Sequence, residues 1–433
     1  RGRTAGMVDD SEATEVVTVF LRHDADVLLL RRSETVGSYS GQWCAVAGHA
    51  EGDPDAAARE EIREETGLDP EADVTLIRRG KPFDVVDEDL GTPWLVHPYL
   101  FGARTRAVTT NDETTEHEWV PPTEILCRGT VPELWTSYDR VRPTVETVAE
   151  DQKRGSSSLS LCALEHLRDE AALGVELGST DWAALATTAR RLRDARPSMV
   201  VIANRVNRAM SAAAGEGTPA AVDRAATAEI DRALAADELA AAHAAERLPG
   251  RVATLSRSGT VLLALVEAEL DSVLVAESRP GLEGVDAAER IASETAAAVT
   301  ITTDAAFGEL LAEHETGALL VGADAVLPDG RVVNKVGTRG AVAAATAEGA
   351  ERYVVTTSDK VQPAGGGETA FDREERDPAA VYDGDADLTA ENPTFGATPA
   401  ERFDAIVTED GVLDGDGIGE VASAHRRRAE WDA

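Results

Sequence analysis

The apolar positions fall into three successive patterns along the chain. In the first, EVVTVFLR and VLLLRR flank His23-Asp24-Ala25-Asp26, predicting strands over 14–22 and 27–32 joined by a turn. Helical spacing begins near Asp55 and stops at Gly67, a residue suited to closing a helix. Strands are predicted near 73–86 and 92–104, and a helix over about 131–150. In the second pattern, residues 155–249, Ala, Leu and Arg recur at helical spacing with breaks at Gly174, Pro197 and Pro219, predicting four helices and no strand. In the third, apolar runs at 252–256, 273–276, 299–303, 318–323, 353–357 and 404–408 alternate with helical stretches. That alternation predicts a doubly wound parallel sheet. Residues 361–400, rich in Gly, Pro, Asp and Glu, read as a long acidic loop. The expected organisation is multidomain α/β, divided at 1–150, 151–249 and 250–433.

Charge narrows the function classes. The 433 residues include 79 acidic and 42 basic ones, a formal net charge of −37. Residues 1–154 carry 31 acidic and 17 basic residues, so the acid is spread over both halves and is a surface property. Basic patches that would neutralise nucleic-acid phosphates are scarce, which argues against DNA binding. No apolar run approaches membrane-spanning length, and no signal peptide begins the chain. Met7 is the expected start. Three scattered cysteines, Cys44, Cys127 and Cys162, suit a reducing cytosol rather than a disulfide or zinc framework. Only four basic residues are lysine: Lys81, Lys153, Lys335 and Lys360. The composition resembles that of salt-loving microbes, and it makes each remaining lysine a better candidate for a specific role.

The segment Gly48–Leu68 reads GHAEGDPDAAAREEIREETGL. Glu61, Glu64 and Glu65 stand at i, i+3 and i+4 and share a helix face. Grouped carboxylates suit Mg²⁺ or Mn²⁺, which also bind diphosphates; the plainer reading is a solvated acidic face. The segment resembles the Nudix box, G-x5-E-x7-R-E-U-x-E-E-x-G-U, with Glu61, Ile62, Glu64, Glu65, Gly67 and Leu68 on its second half. VLLLRRS and GQWCAVAGHAEG upstream, and EHEWVPPTEI downstream, resemble the same family over residues 10–150. The resemblance implies an α/β/α sandwich around a mixed sheet. It also implies a metal held by Glu61, Glu64 and Glu65, with Gly48 at the substrate loop. The box arginine position holds Glu60, leaving Arg59 or Arg63 to orient the glutamates. The loop after Gly48 is short, leaving Asp53 or Glu51 as the first acidic residue. Trp43 and Trp94 are candidates to stack on a base, or core residues.

In the third pattern the polar residues fall at strand ends, where doubly wound sheets bind ligands. Ser256 and Ser258 follow the first strand, Glu277 and Arg279 the second, Asp304 the third and Asp324 the fourth. Asn334 and Lys335 precede a helix, and Lys360 follows the fifth strand. Two of the four lysines in this position, beside Arg279, point to phosphate. TLSRSGTV, ESRPGLEG, VGADAVLPDGRVVNKVGT and PSMVVIANRVN resemble the translation initiation factor 2B alpha/beta/delta family. That family includes ribose-1,5-bisphosphate and methylthioribose-1-phosphate isomerases. The resemblance, over 155–433, implies a helical subdomain followed by a Rossmann-like sheet. It places the isomerases' catalytic aspartate on Asp324 and their catalytic cysteine on Ser256. It also likens Arg154-Gly155-Ser156 to a phosphate-contacting segment. A serine hydroxyl is far less acidic than a thiol, which disfavours proton transfer there. Cys162 falls on an apolar helix face and reads as core.

The expectation is a cytoplasmic Nudix hydrolase of a nucleoside or sugar diphosphate derivative, with Mg²⁺ or Mn²⁺. It is fused to a domain that binds a phosphorylated sugar or nucleotide and forms homo-oligomers. The alternatives are a bifunctional enzyme with a working isomerase, and a non-catalytic regulator that partners translation initiation factor 2.

Overall fold

The computed structural model describes residues 13–50, 52–86, 93–151, 154–178, 180–279, 281–365 and 371–432. Met7, Glu51 and Lys153 lie outside the described residues. The chain divides into two compact units, Arg1–Pro143 with Ala172–Ser179, and Thr144–Ala171 with Thr180–Ala433.

The first unit is built on a mixed sheet. Its strands are β1 (Thr14–His23), β2 (Asp26–Arg32), β3 (Trp43–Cys44), β4 (Val46–His49), β5 (Val74–Arg79), β6 (Phe83–Val86), β7 (Pro93–Ala103) and β8 (Thr114–Val120). β1 pairs parallel with β7 and antiparallel with β2 and β4. Its helices are α1 (Pro54–Thr66), α2 (Glu124–Cys127) and α3 (Leu134–Asp139). Strand alternation sends Val17, Val19, Leu21, Leu28 and Leu30 to one face, under Ala58 and Ile62 of α1. Phe20, Val27 and Leu29 point to the other face, against Leu134 and Tyr138 of α3. Both faces of the sheet are thus covered by helix, giving an α/β/α sandwich.

Two expectations change here. The stretch 73–86 forms two strands, β5 and β6, separated at Gly80-Lys81-Pro82. The helix expected over 131–150 is two short ones, α3 and α4 (Val145–Glu150), because Pro143 lacks a backbone N–H. Thr144 restarts the helix with a reciprocal capping box to Thr147.

The second unit opens on helices α4 and α5 (Ser156–Leu177, of which Ser156–Ala171 belong here), α6 (Trp182–Asp194), α7 (Val200–Ala213) and α8 (Pro219–Ala245). The four helices expected over 155–249 are α5 to α8. α5 runs through Gly174 rather than breaking there, since an interior glycine costs only about 1 kcal/mol.

The strands that follow are β9 (Arg251–Thr254), β10 (Ser272–Ala276), β11 (Ala298–Thr302), β12 (Ala318–Val321), β13 (Ala325–Val326), β14 (Val332–Lys335), β15 (Glu351–Val355), β16 (Phe395–Thr398), β17 (Ala405–Thr408) and β18 (Gly411–Val412). The helices are α9 (Gly259–Glu267), α10 (Glu283–Glu294), α11 (Phe307–Glu313), α12 (Thr338–Ala347) and α13 (Gly415–Arg428). The main sheet runs β11-β10-β9-β12-β15-β17-β18, parallel except for β18. One face packs on α8, α9 and α10, the other on α11, α12 and α13. Strand order reverses between β9 and β12, so a topological switch point opens at their carboxyl ends. β13, β14 and β16 form a small antiparallel sheet. β16 lies inside the expected acidic loop, so the end of that loop is strand paired to β14 rather than irregular chain.

Candidate functional site

In the first unit, α1 delivers the box glutamates. Asp53 caps the helix, accepting from the Ala56 N–H at 3.2 Å, with Pro54 at the first helical position. Gly67 closes it at φ 69°, its N–H donating to the Arg63 carbonyl. α1 lies beside β4, and there Glu61 meets Gly48. A Cβ on Gly48 would collide with Glu61 Oε1, so only glycine lets this carboxylate reach its place.

Glu61 and Glu64 line a cavity of about 960 Å³ together with Arg32, His49, Trp94 and Glu113. Glu65 turns inward and is 6% exposed. Burial, then the charges of Glu61 and Glu113, push its carboxyl up to about 8, while the Ala47 N–H and the Arg32 charge pull it back. Glu61 and Glu113 are therefore close enough to Glu65 to raise its proton affinity, and grouped carboxylates are a donor set that fits a divalent cation. Among the described residues, no three His, Cys, Asp or Glu side chains are already gathered in ligand position.

The two arginines flanking Glu60 have other partners. Arg59 donates to the Pro70 carbonyl and Glu71 and lies 5.7 Å from the Phe101 ring centre; Arg63 pairs with Glu60 itself. The guanidinium beside Glu65 is Arg32, which also donates to the Ser38 carbonyl at 2.9 Å. Of the two tryptophans, Trp94 lines the cavity, 6.2 Å from His49 between ring centres. Trp43 instead lies beneath the Arg128 guanidinium, against the α3 core. Arg32 and Glu113 were not singled out from sequence. The doubled arginine ending β2 and the acidic residue before EHEWV were the available signals.

In the second unit, the switch point brings the first and fourth strand ends together. Ser256, 6% exposed, follows β9, and Gly322 follows β12. A Cβ on Gly322 would lie 2.9 Å from Ser258 Cβ and 3.3 Å from Ser256 Oγ, so this glycine permits the approach. Ser256 Oγ accepts from the Ser258 N–H at 3.1 Å, and Ser258 caps α9 without a side-chain bond.

Two residues past Gly322, Asp324 donates its backbone N–H to the Val333 carbonyl. Burial raises its carboxyl, opposed by the charges of Lys360 and Lys335. Lys360 is 3% exposed, and its ammonium donates to the Ala323 carbonyl at 2.8 Å. Burial lowers its proton affinity, while Asp324 and Asp237 support the charge. Lys360 is thus a buried partner of the Asp324 loop rather than an exposed cation.

Around this centre, Asn334 Nδ2 donates to Thr338 Oγ1 at 3.0 Å, and Lys335 pairs with Glu283 at 2.8 Å. Arg279 is exposed and pairs with Glu277; Asp304 accepts from the backbone of Ser278 and Arg279 and so holds their loop. Arg154 is engaged with Asp151 and Cys162 Sγ, next to Gly155 and to Ser156 at the start of α5. Cys162 is buried, as expected of core.

The helices add a component not read from sequence as functional. Asn204 and Arg205 of α7 are 1% and 0% exposed and reach Asp359 in the turn carrying Lys360. The polar residues Asn204 and Arg205 inside the apolar run PSMVVIANRVN were the signal. Arg205, Arg232 and Arg208 hold the Asp359 carboxyl far below the usual carboxylate range, against the upward push of its burial.

Known proteins match both units. The Initiation factor 2 subunit family model matches residues 152–415, and the NUDIX domain model residues 12–142. A ribose 1,5-bisphosphate isomerase of Haloferax volcanii is 34% identical over 294 residues, covering 63% of this chain and 90% of that protein. A methylthioribose-1-phosphate isomerase of Synechococcus is 28% identical over 305 residues, covering 64% and 87%. Among solved structures, the Pyrococcus horikoshii translation initiation factor eIF-2B superposes with a TM-score of 0.52 at 24% identity, covering 62% of this chain and 94% of that one. The 5-methylthioribose 1-phosphate isomerase of the same organism also gives 0.52, at 18% identity over 72% and 89%. At these identities the superpositions speak for the fold alone. The chain therefore belongs to the initiation factor 2 subunit family and carries a NUDIX domain ahead of the family region.

Proposed function

We propose that the Nudix unit hydrolyses a nucleoside or sugar diphosphate derivative, and that the family unit binds a phosphorylated sugar or nucleotide. The observation that carries the first part is the cavity walled by Glu61, Glu64 and Glu113 with Glu65 buried behind it. Mg²⁺ or Mn²⁺, held there by Glu61, Glu64 and Glu65, would neutralise the diphosphate and acidify a water. Gly48 clears the space for Glu61. One of these carboxylates, or Asp53 in the loop, would take the proton from that water. Trp94 and His49, their rings tilted by 37° to one another, offer a partly apolar wall to the group beyond the diphosphate. The test is a panel of diphosphate substrates with Mg²⁺ and Mn²⁺ in molar KCl, read by ³¹P NMR. Activity unchanged in Glu64→Gln and in Glu61→Gln would remove the hydrolase reading.

In the family unit, Ser256, Ser258, Asn334 and Lys335, with Arg279 and Arg154-Gly155-Ser156, are the proposed phosphate and substrate contacts, and the enclosed Lys360 supports the Asp324 loop instead. The relatives named as sugar-phosphate isomerases support that ligand class. Homo-oligomers through this unit belong to the same proposal. One observation favours a second reading, a working aldose–ketose isomerase: burial raises the Asp324 carboxyl beside a lysine, as suits an acid catalyst. Conversion of ribose 1,5-bisphosphate by the full chain, lost in Asp324→Asn, would establish it over binding alone.

A further inference from the structure

We propose that Asn204 and Arg205 are positioning residues for the strand-end site, clamping the turn that carries Lys360 so that its ammonium stays on the Ala323 carbonyl beside Asp324. The inference rests on the reading of that site as a phosphorylated-ligand site and adds the part of the helical region that shapes it. The turn Ser358–Lys360 follows β15 and is a single 3₁₀ turn, with no regular ladder to hold it.

Asn204 supplies what the ladder does not. Its Nδ2 donates to the carbonyls of Asp359 at 2.7 Å and Val361 at 2.9 Å, the two residues on either side of Lys360. The lysine's backbone is thus gripped from both sides by one amide. Arg205 grips the side chain next door. Its Nε donates to Asp359 Oδ2 at 2.9 Å and its Nη1 to Ser160 Oγ of α5 at 2.9 Å. Its Nη2 stands 3.6 Å from Asp237, one of the two carboxylates that support the Lys360 charge. Asp237 is itself fixed by the Thr260 hydroxyl at 3.0 Å.

Arg205 is wholly buried, and a guanidinium in such a place is costly unless it is paired with carboxylates. Two of its three nitrogens, Nε and Nη1, are hydrogen-bonded and tie α5, α7 and the Lys360 turn into one piece, and Nη2 faces Asp237 as an ion pair. A lysine with four rotatable bonds loses considerable freedom when held in one pose. Fixing its backbone removes part of that loss before any ligand arrives.

The scarcity of lysine makes a direct test clean. Reductive methylation of the full chain, resolved by mass spectrometry, reports Lys360 separately from the three other lysines. Asn204→Ala and the milder Ser160→Ala are compared with the unsubstituted chain, alongside calorimetric titration with ribose 1,5-bisphosphate and with inorganic phosphate. The expected result is Lys360 methylated several-fold faster in both variants, Lys81 unchanged, and ribose 1,5-bisphosphate affinity reduced roughly tenfold, as for lost hydrogen bonds. Folded variants in which Lys360 labels at the original rate would overturn the positioning role. If the unsubstituted chain takes up neither probe, the ligand reading fails instead, while the labelling result still decides the clamp.

Discussion

Gly48 and Ser256 show how much a single position decides. At Gly48 the contact with Glu61 leaves no room for a methyl group. Gly48→Ala is expected to displace the Glu61 carboxylate by an ångström or more and to lower diphosphate hydrolysis about 100-fold, with the melting temperature of the protein little changed. Steady-state kinetics beside a thermal melt check this. At Ser256 the missing property is acidity, not shape. The position is 6% exposed at the switch point, beside the Asp324 loop. Ser256→Cys is therefore expected to raise conversion of ribose 1,5-bisphosphate at least tenfold over the natural chain, because a thiolate is accessible near neutral pH where an alkoxide is not. Equal rates in the two proteins would show that the hydroxyl is not the limiting group. The sequence signals for Arg32 and Glu113 are weak, since their distances along the chain from Glu65 hide a proximity that only the sheet creates.

At the scale of elements, α1 was readable almost to its ends because its signals are local. Asp53 and Pro54 start it, Ile62 and Ala58 face inward, and Gly67 stops it in the left-handed conformation. Gly67→Ala should cost about 1 kcal/mol in chemical denaturation, since a Cβ is strained at φ 69°. The stretch 131–150 was misjudged for a related reason. Its apolar spacing is helical, but the backbone donor missing at Pro143 outweighs the spacing. β14 and β16 were invisible as a pair because they lie about 60 residues apart in sequence and each is only four residues long.

At the scale of the molecule, charge and burial pull stability in separate ways. The net charge of −37 makes the surface repel itself. The Debye length is about 10 Å at 0.1 M salt and about 3 Å at 1 M, so the melting temperature should fall steadily when KCl is lowered from molar to 0.1 M. A melt insensitive to KCl would contradict that account. The buried charges respond to pH instead. His425 of α13 is 1% exposed, donates from Nε2 to the Ser358 carbonyl at 3.1 Å, and is pushed by burial down to about 4. Arg208 and Arg428 oppose its charging, and Asp359 favours it.

The unfolded chain takes a proton on this histidine below about 6.5, whereas the folded chain does so only below about 4. Stability is therefore fully present above 6.5 and is lost as the pH falls to 4, by about 3 kcal/mol. His425→Gln should flatten that slope in denaturant titrations at pH 6.5 and 4. Asp359 acts in a lower window, its contribution being lost only below the ordinary carboxylate range.

Sequence by itself determined the main helices and strands, the box glutamates on one helix and the polar residues at strand ends. Each of these rests on periodicity or on a motif of neighbouring residues, and local chain geometry is enough to place them. Tertiary structure decided which charges are solvated and which are buried. Glu64 stays exposed while Glu65, one residue on, is buried beside Glu61 and Glu113. Lys360, expected as a cation open to phosphate, is enclosed and held by the turn that Asn204 and Arg205 grip. A proton affinity depends on the dielectric and on every charge within a few ångströms, and those neighbours come from distant parts of the chain.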